Sequence, residues 1–126
     1  MSQEKLKPTE SEHQILQVLW SLGPSTVRQV NDEINKEKET GYTTTLKLMQ
    51  IMSEKGLVDR DTSTRTHVYS ASVSQKETRN NLLQEFLNNT FQGSAMSLVL
   101  QTLGNHSASK EELAEIKKLI DKLENQ

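Results

Sequence analysis

Across residues 41–71, GYTTTLKLMQIMSEKGLVDRDTSTRTHVYSA, the apolar period of the chain changes from that of a helix to that of a strand, with a single glycine at the change. Thr45, Leu48, Met49 and Met52 recur at i, i+3, i+4 and i+7, which predicts a helix beginning near Tyr42 with one core side. Thr43, Thr44, Lys47, Gln50 and Glu54 fall largely on its other side. Gly56 can adopt the left-handed conformation that ends such a helix. LVDR and THVYS then read as two short strands around DTSTR, a polar turn without glycine. A hairpin of this size is marginal alone, so it must pack on helices through residues such as Val58, Val68 or Tyr69.

Upstream, the pattern predicts two more helices. Thr9 with Glu12 three residues later forms a capping box, and Ile15, Leu16, Leu19 and Trp20 follow on one face. Gly23-Pro24 ends that helix. Ser25 or Thr26 starts the next, with Val27, Val30 and Ile34 as its apolar stripe and NKEKETG as its close. Three helices followed by a small hairpin is the plan of a winged helix-turn-helix, so the expected class is mainly α with a small β-wing.

After Ser72 the character changes. SQKE at residues 74–77 is a second capping box, opening a long helix with Leu82, Leu83, Phe86, Leu87 and Phe91 on one side. QGS breaks it, AMSLVLQTL forms a short apolar segment, and GNHS breaks the chain again. A last helix starts at SKEE, capped by Ser109, with Leu113, Ile116, Ile120 and Leu123 in register. This places a DNA-binding winged-helix domain at residues 1–73 and a helical dimerisation domain at 74–126. Only 33% of the 126 residues are hydrophobic and 4% aromatic, which points to a small core completed against a second subunit. A homodimer through Leu82, Phe86, Leu87, Met96, Val99, Leu100, Leu113, Ile116, Ile120 and Leu123 would bury the spare apolar stripes. It would also match the two half-sites that helix-turn-helix dimers commonly read.

Several function classes drop out. With no cysteine, the chain has no disulfide, zinc-thiolate site or thiol nucleophile. No apolar run is long enough to span a membrane, and MSQEKLKPTE lacks the core of a signal peptide, so a cytoplasmic protein without membrane partners is expected. His13, His67 and His106 lie far apart, no glycine-rich phosphate loop appears, and no catalytic residue, metal or cofactor is expected. The net charge of −2 gives nucleic-acid binding no bulk support, leaving it to a local cationic patch.

The candidate DNA contacts are Arg28, Thr43, Thr44, Lys47, Gln50, Arg60 and Arg65. Thr43 and Thr44 either cap the third helix or present hydroxyls and methyls to a major groove. Lys47 and Gln50 suit guanine or phosphate and adenine respectively, or are plain surface. Arg60 and Arg65 flank the hairpin turn, where Arg65 either meets the duplex or pairs with Asp59 or Asp61. Arg28, early in the second helix, either touches the DNA backbone or is surface. Glu33, Glu37 and Glu39 assign the rear of the module to solvent.

Taken in order, TESEHQILQVLW, GPSTVRQVNDEI, YTTTLKLMQIMSEKGLV, TRTHVYSA and the tail QGSAMSLVLQTL with SKEELAEIKKLI resemble the penicillinase-repressor family. The resemblance runs from about residue 6 to residue 124. That family includes the beta-lactamase and methicillin-resistance repressors and relatives that regulate copper homeostasis. The resemblance implies a dimeric winged-helix repressor, with palindromic promoter DNA on the amino-terminal domain and intertwined carboxy-terminal helices. By position, Trp20 matches the aromatic ending the first helix, Thr44 a hydroxyl of the recognition helix, and Lys55-Gly56 that helix's end. Arg65 matches the arginine of the wing, with Thr64 standing where the family has glycine, and Tyr69 matches the returning strand.

Two departures concern regulation. The beta-lactam-responsive repressors are cut by a membrane sensor protease at an Asn-Phe bond, where this chain has Gln101-Thr102, so that cleavage is not expected and any regulatory protease is unidentified. The copper-responsive relatives carry a cysteine-rich tail that this chain lacks. The expected function is a sequence-specific transcriptional repressor; the alternative is a winged-helix protein-interaction module without specific DNA binding.

Overall fold

A computed structural model describes residues 7–105 and 108–126; most of the polar start and part of the expected GNHS break lie outside the described residues. The elements are α1 (Glu10–Leu22), α2 (Val27–Asn35), α3 (Tyr42–Lys55), β1 (Val58–Asp61), β2 (Val68–Ala71), α4 (Gln75–Phe91), α5 (Ala95–Asn105) and α6 (Lys110–Glu124). The chain divides into two compact units, one ending at Leu82 and one spanning Leu83–Gln126.

In the first unit, local chemistry starts and stops each helix. Thr9 Oγ1 accepts the Glu12 N–H at 3.2 Å while the Thr9 N–H donates to Glu12 Oε1 at 2.9 Å, so both halves of the α1 box are made. Thr26, rather than Ser25, caps α2, through a second reciprocal box with Gln29. Gly56 ends α3 at φ 86° and ψ 12°. Its N–H donates to Ser53 O at 3.2 Å and the Leu57 N–H to Met52 O at 2.9 Å, the bond pair that closes a helix and turns the chain inward.

β1 and β2 pair antiparallel, with Val58 opposite Ala71 and Arg60 opposite Tyr69. Ser25 adds an isolated bridge on the other edge of β2: its N–H donates to Tyr69 O at 2.9 Å, while the Tyr69 N–H donates to Ser25 O at 2.8 Å. A one-residue strand has no alternation, so no periodicity announced this third member of the wing.

The core consists of Ile15, Leu16, Leu19, Val27, Val30, Met49, Met52, Leu57, Val58 and Tyr69. Val58 and Tyr69 seat the hairpin on the helices, with Val68 half-buried. The Trp20 indole donates to Val73 O at 3.0 Å and so fastens the chain after β2 to the end of α1. Glu12 is 3% exposed, and its Oε1 also receives Lys55 Nζ at 2.6 Å. The first turn of α1 is thereby locked to the last turn of α3, each charge at the helix end that favours its sign. Thr78 of α4 is buried too, consistent with this unit running past residue 73 to Leu82.

The second unit is built differently. Gln92 at φ 50° and Gly93 at φ 81° turn the chain sharply out of α4. Ser94 and Ser109 accept N–H groups from the first turns of α5 and α6. α5 continues through Gly104 and Asn105, where the sequence predicted a break; one glycine costs a helix only about 1 kcal/mol. Neither α5 nor α6 contains a buried residue, and among the described residues of this unit Leu87 is the one buried apolar side chain.

Candidate nucleic-acid interface

The candidate residues of α3 share one exposed side. Thr43, Thr44, Lys47 and Gln50 are all exposed, whereas Thr45, Met49 and Met52 are buried behind them. The expectation that Thr43 or Thr44 caps α3 is corrected: the cap position is Gly41, which supplies no side-chain acceptor, and both threonines lie inside the helix. The first turn therefore keeps backbone N–H groups without a side-chain cap, next to two free-standing hydroxyls, an arrangement suited to phosphate oxygens.

The placement of this turn depends on residues that periodicity did not single out. Asn31, 7% exposed, donates from Nδ2 to Thr45 Oγ1 at 2.8 Å and to Thr40 O at 2.9 Å. Asn35 donates to Thr40 O at 2.9 Å and to Asn31 O at 2.7 Å, and accepts the Thr40 N–H at 2.9 Å. The loop between α2 and α3 is thus gripped by two amides one helical turn apart. The i, i+4 spacing of two asparagines at the end of α2 was the available signal.

Arg28 joins this region. Its guanidinium lies over the Tyr42 ring, 5.0 Å from the centroid, so the first residue of α3 holds a cation from the start of α2. Lys47 and Gln50 stand further along the helix. Arg60 is exposed and, by the strand register, shares a face of the hairpin with Val58 and Tyr69.

Arg65 is exposed in the connection between β1 and β2. Among the described residues it has no ion-pair partner, so the expected alternative of pairing with Asp59 or Asp61 is not what the structure contains. Asp61 is engaged instead with the turn: its Oδ1 accepts the Ser63 N–H at 2.9 Å, and the Thr64 hydroxyl donates to Thr66 O at 2.8 Å. These local bonds shape the turn around Arg65 without a left-handed residue, which explains how Thr64 replaces glycine.

The Ser63 N–H holds the Asp61 carboxyl below the usual aspartate range, helped by the Ser63 side chain and by His67. The sign follows: the contribution to wing order is present at neutral pH and is lost as pH falls through the lowered value. In a carboxyl NMR titration Asp61 is expected to inflect below an unstructured aspartate, with the Ser63 amide shift following it. An Asp61 inflection at or above that of an unstructured aspartate would contradict this account.

No helix among the described residues is long and apolar enough to cross a membrane. No cluster of three or more metal-ligating side chains occurs among them either.

The apolar residues expected at a dimer interface fall into two groups. Phe86, Met96, Val99, Leu100, Leu113, Ile120 and Leu123 are exposed, and Leu82 and Ile116 are half-buried. Leu87 departs from that group: at 9% exposed it is covered within the single chain. Leu83, Leu103 and Leu119 extend the exposed set beyond the sequence expectation.

Comparison with known proteins accords with this architecture. The family model described as "Penicillinase repressor" matches residues 8–122. The methicillin resistance regulatory protein MecI of Staphylococcus aureus (strain N315) is 20% identical over 122 residues, covering 97% of this chain and 99% of that protein. The penicillinase repressor of Bacillus licheniformis is 22% identical over 117 residues, covering 93% and 91%. Among solved structures, the DNA binding domain of the repressor BlaI superposes with a TM-score of 0.51 at 17% identity, over 57% of this chain and 88% of that one. With a winged helix followed by a helical unit that exposes apolar side chains, and a family match over nearly its whole length, the chain belongs to the penicillinase repressor family of DNA-binding transcriptional repressors.

Proposed function

We propose that the protein is a cytoplasmic homodimeric repressor that occupies palindromic promoter operators and excludes polymerase from them. The observation that carries this reading is the first turn of α3. Its N–H groups have no side-chain cap, its hydroxyls are exposed, and Arg28 is held beside it over Tyr42. The polar side of α3 enters the major groove, where Thr44 and Gln50 read base edges and Lys47 reads guanine or phosphate. Arg65 and Arg60 contact the backbone or minor groove from the wing.

Residues 1–73 supply the DNA contacts and 74–126 the dimer contacts. The second support is the exposed apolar surface of α5 and α6, which a lone chain leaves in water: Met96 is 67% and Leu100 65% exposed. Gln101 and Thr102 lie within α5, and the Thr102 hydroxyl donates to Leu98 O at 2.8 Å. A protease would have to unwind this helix to cut there, so relief of repression by cleavage at this bond is not part of the proposal.

Titration against an operator found by genome-wide mapping, and against a scrambled duplex at several salt concentrations, tests the assignment. Arg65→Ala is expected to weaken both kinds of binding and to lower the salt slope by about one phosphate's worth. Thr44→Ala or Gln50→Ala should cost mainly specific affinity, at about 1–3 kcal/mol per lost base contact. Thr43→Ala should not lower the melting temperature, because Thr43 lies exposed inside α3 without capping it and alanine is the better helix former. Parent-like operator binding by all these folded variants would remove α3 and the wing as the reading surface.

A further inference from the structure

We infer that Ile51 is a base-reading residue, whose side chain packs against the C5-methyl group of a thymine in bound DNA. The inference rests on the DNA-reading role proposed for α3 and assigns one specificity contact within it. Ile51 is 38% exposed, whereas Leu46 and Leu48 of the same helix pack partly against the core and Met49 and Met52 are buried. Its exposure is therefore not required by the packing of the unit.

Thr44, Lys47 and Ile51 recur at i, i+3 and i+7, which sets them in one row on the polar side of α3. An aliphatic side chain makes no hydrogen bond, so in a major groove it can distinguish bases only by apolar contact. The thymine methyl is the apolar group that base pairs offer there. Lys47, one turn before Ile51 in the same row, and Arg28 of α2, held over Tyr42 at the start of α3, favour a polyanion over a protein as the occupant. Glu54, one turn beyond Ile51, limits the surface at its far end because a carboxylate is repelled by phosphate. Seven residues of helix span about 10 Å. Ile51 and Thr44 therefore meet different bases.

The test uses the full-length protein and its mapped operator, with each thymine replaced singly by deoxyuridine, which removes only the methyl group. At one thymine per half-site the exchange is expected to weaken parent binding about threefold to fivefold, the effect of one buried methyl. The same exchange should have no effect on Ile51→Ala, while Ile51→Val, which keeps the branched carbon, should retain a reduced sensitivity. Melting temperatures of both variants check the fold.

If every deoxyuridine operator binds the parent as the thymine operator does, the inference is overturned while operator binding stands. It is overturned equally if the loss at each thymine persists undiminished in Ile51→Ala. A parent protein with no preference for the operator over scrambled DNA would instead remove the reading surface on which the inference depends.

Discussion

Glutamate placed together at Leu100 and Ile120 is expected to yield a folded monomer that binds the full operator at least about 100-fold more weakly than the parent. Leu100 is 65% and Ile120 50% exposed in the single chain, so the new carboxylates sit in water and cost the monomer little. Across the proposed interface the same carboxylates would be buried without partners, which costs several times what an apolar contact contributes. The second half-site then loses the high effective concentration that a linked subunit provides. Light scattering should report one chain per particle, and a duplex with one half-site should bind the variant as it binds the parent. Leu87→Ala is the contrasting change, because Leu87 is covered within the chain: it should lower helical stability first. A double glutamate variant that remained dimeric at micromolar concentration would place the interface elsewhere.

The largest stability effect is expected at the buried ion pair between α1 and α3. Lys55→Met should cost about 3 kcal/mol, because it leaves the Glu12 carboxylate, 3% exposed, with the Thr9 N–H but without its cation. For a domain of this size that corresponds to a fall of about 15 °C in melting temperature. Glu12→Gln should cost less, about 1–2 kcal/mol. The amide oxygen can still accept from Thr9, and Lys55, with 29% of its side chain exposed, can turn to water. The double variant should be less destabilised than the sum of the two, since the orphaned charge is removed with its partner. Thermal melts at neutral pH decide the order; a Lys55→Met protein melting within a degree or two of the parent would show that the pair contributes little.

Function should respond to the same change. The pair joins the first turn of α1 to the last turn of α3, so losing it loosens the far end of the helix proposed to read DNA. Asn31 and Asn35 hold the near end through Thr40 and Thr45. α3 is thus fixed at both ends by polar contacts and along its middle by Met49 and Met52.

Much of this architecture was legible in the residue order because it depends on local chemistry. The reciprocal capping box at Thr9 and Glu12, the left-handed glycine after Lys55 and the i, i+3, i+4 apolar stripe of α3 act within four or five residues, and each appears where the pattern predicted it, whereas the box of Thr26 with Gln29 was not read from the sequence. The polar side of α3 followed from the same periodicity, since a helix with one core side exposes the other. The capping role of Thr43 and Thr44 was misjudged because hydroxyls near a helix start suit a cap and a first turn equally. The choice of Gly41 depends on where Asn31 and Asn35 hold the loop. The extent of α5 was misjudged because glycine only weakens a helix.

Residue order alone fixed the order of the helices and the hairpin, and the inward side of α1, α2 and α3, because capping and periodicity are properties of neighbouring residues. Which distant groups meet was settled by the packing of those elements. Ser25 pairs with Tyr69, Trp20 with Val73, Glu12 with Lys55, Arg28 with Tyr42, and Asn31 with Thr45. None of these pairs follows from spacing. Each joins separate elements, and a polar side chain finds its partner only after the apolar core has brought those elements together.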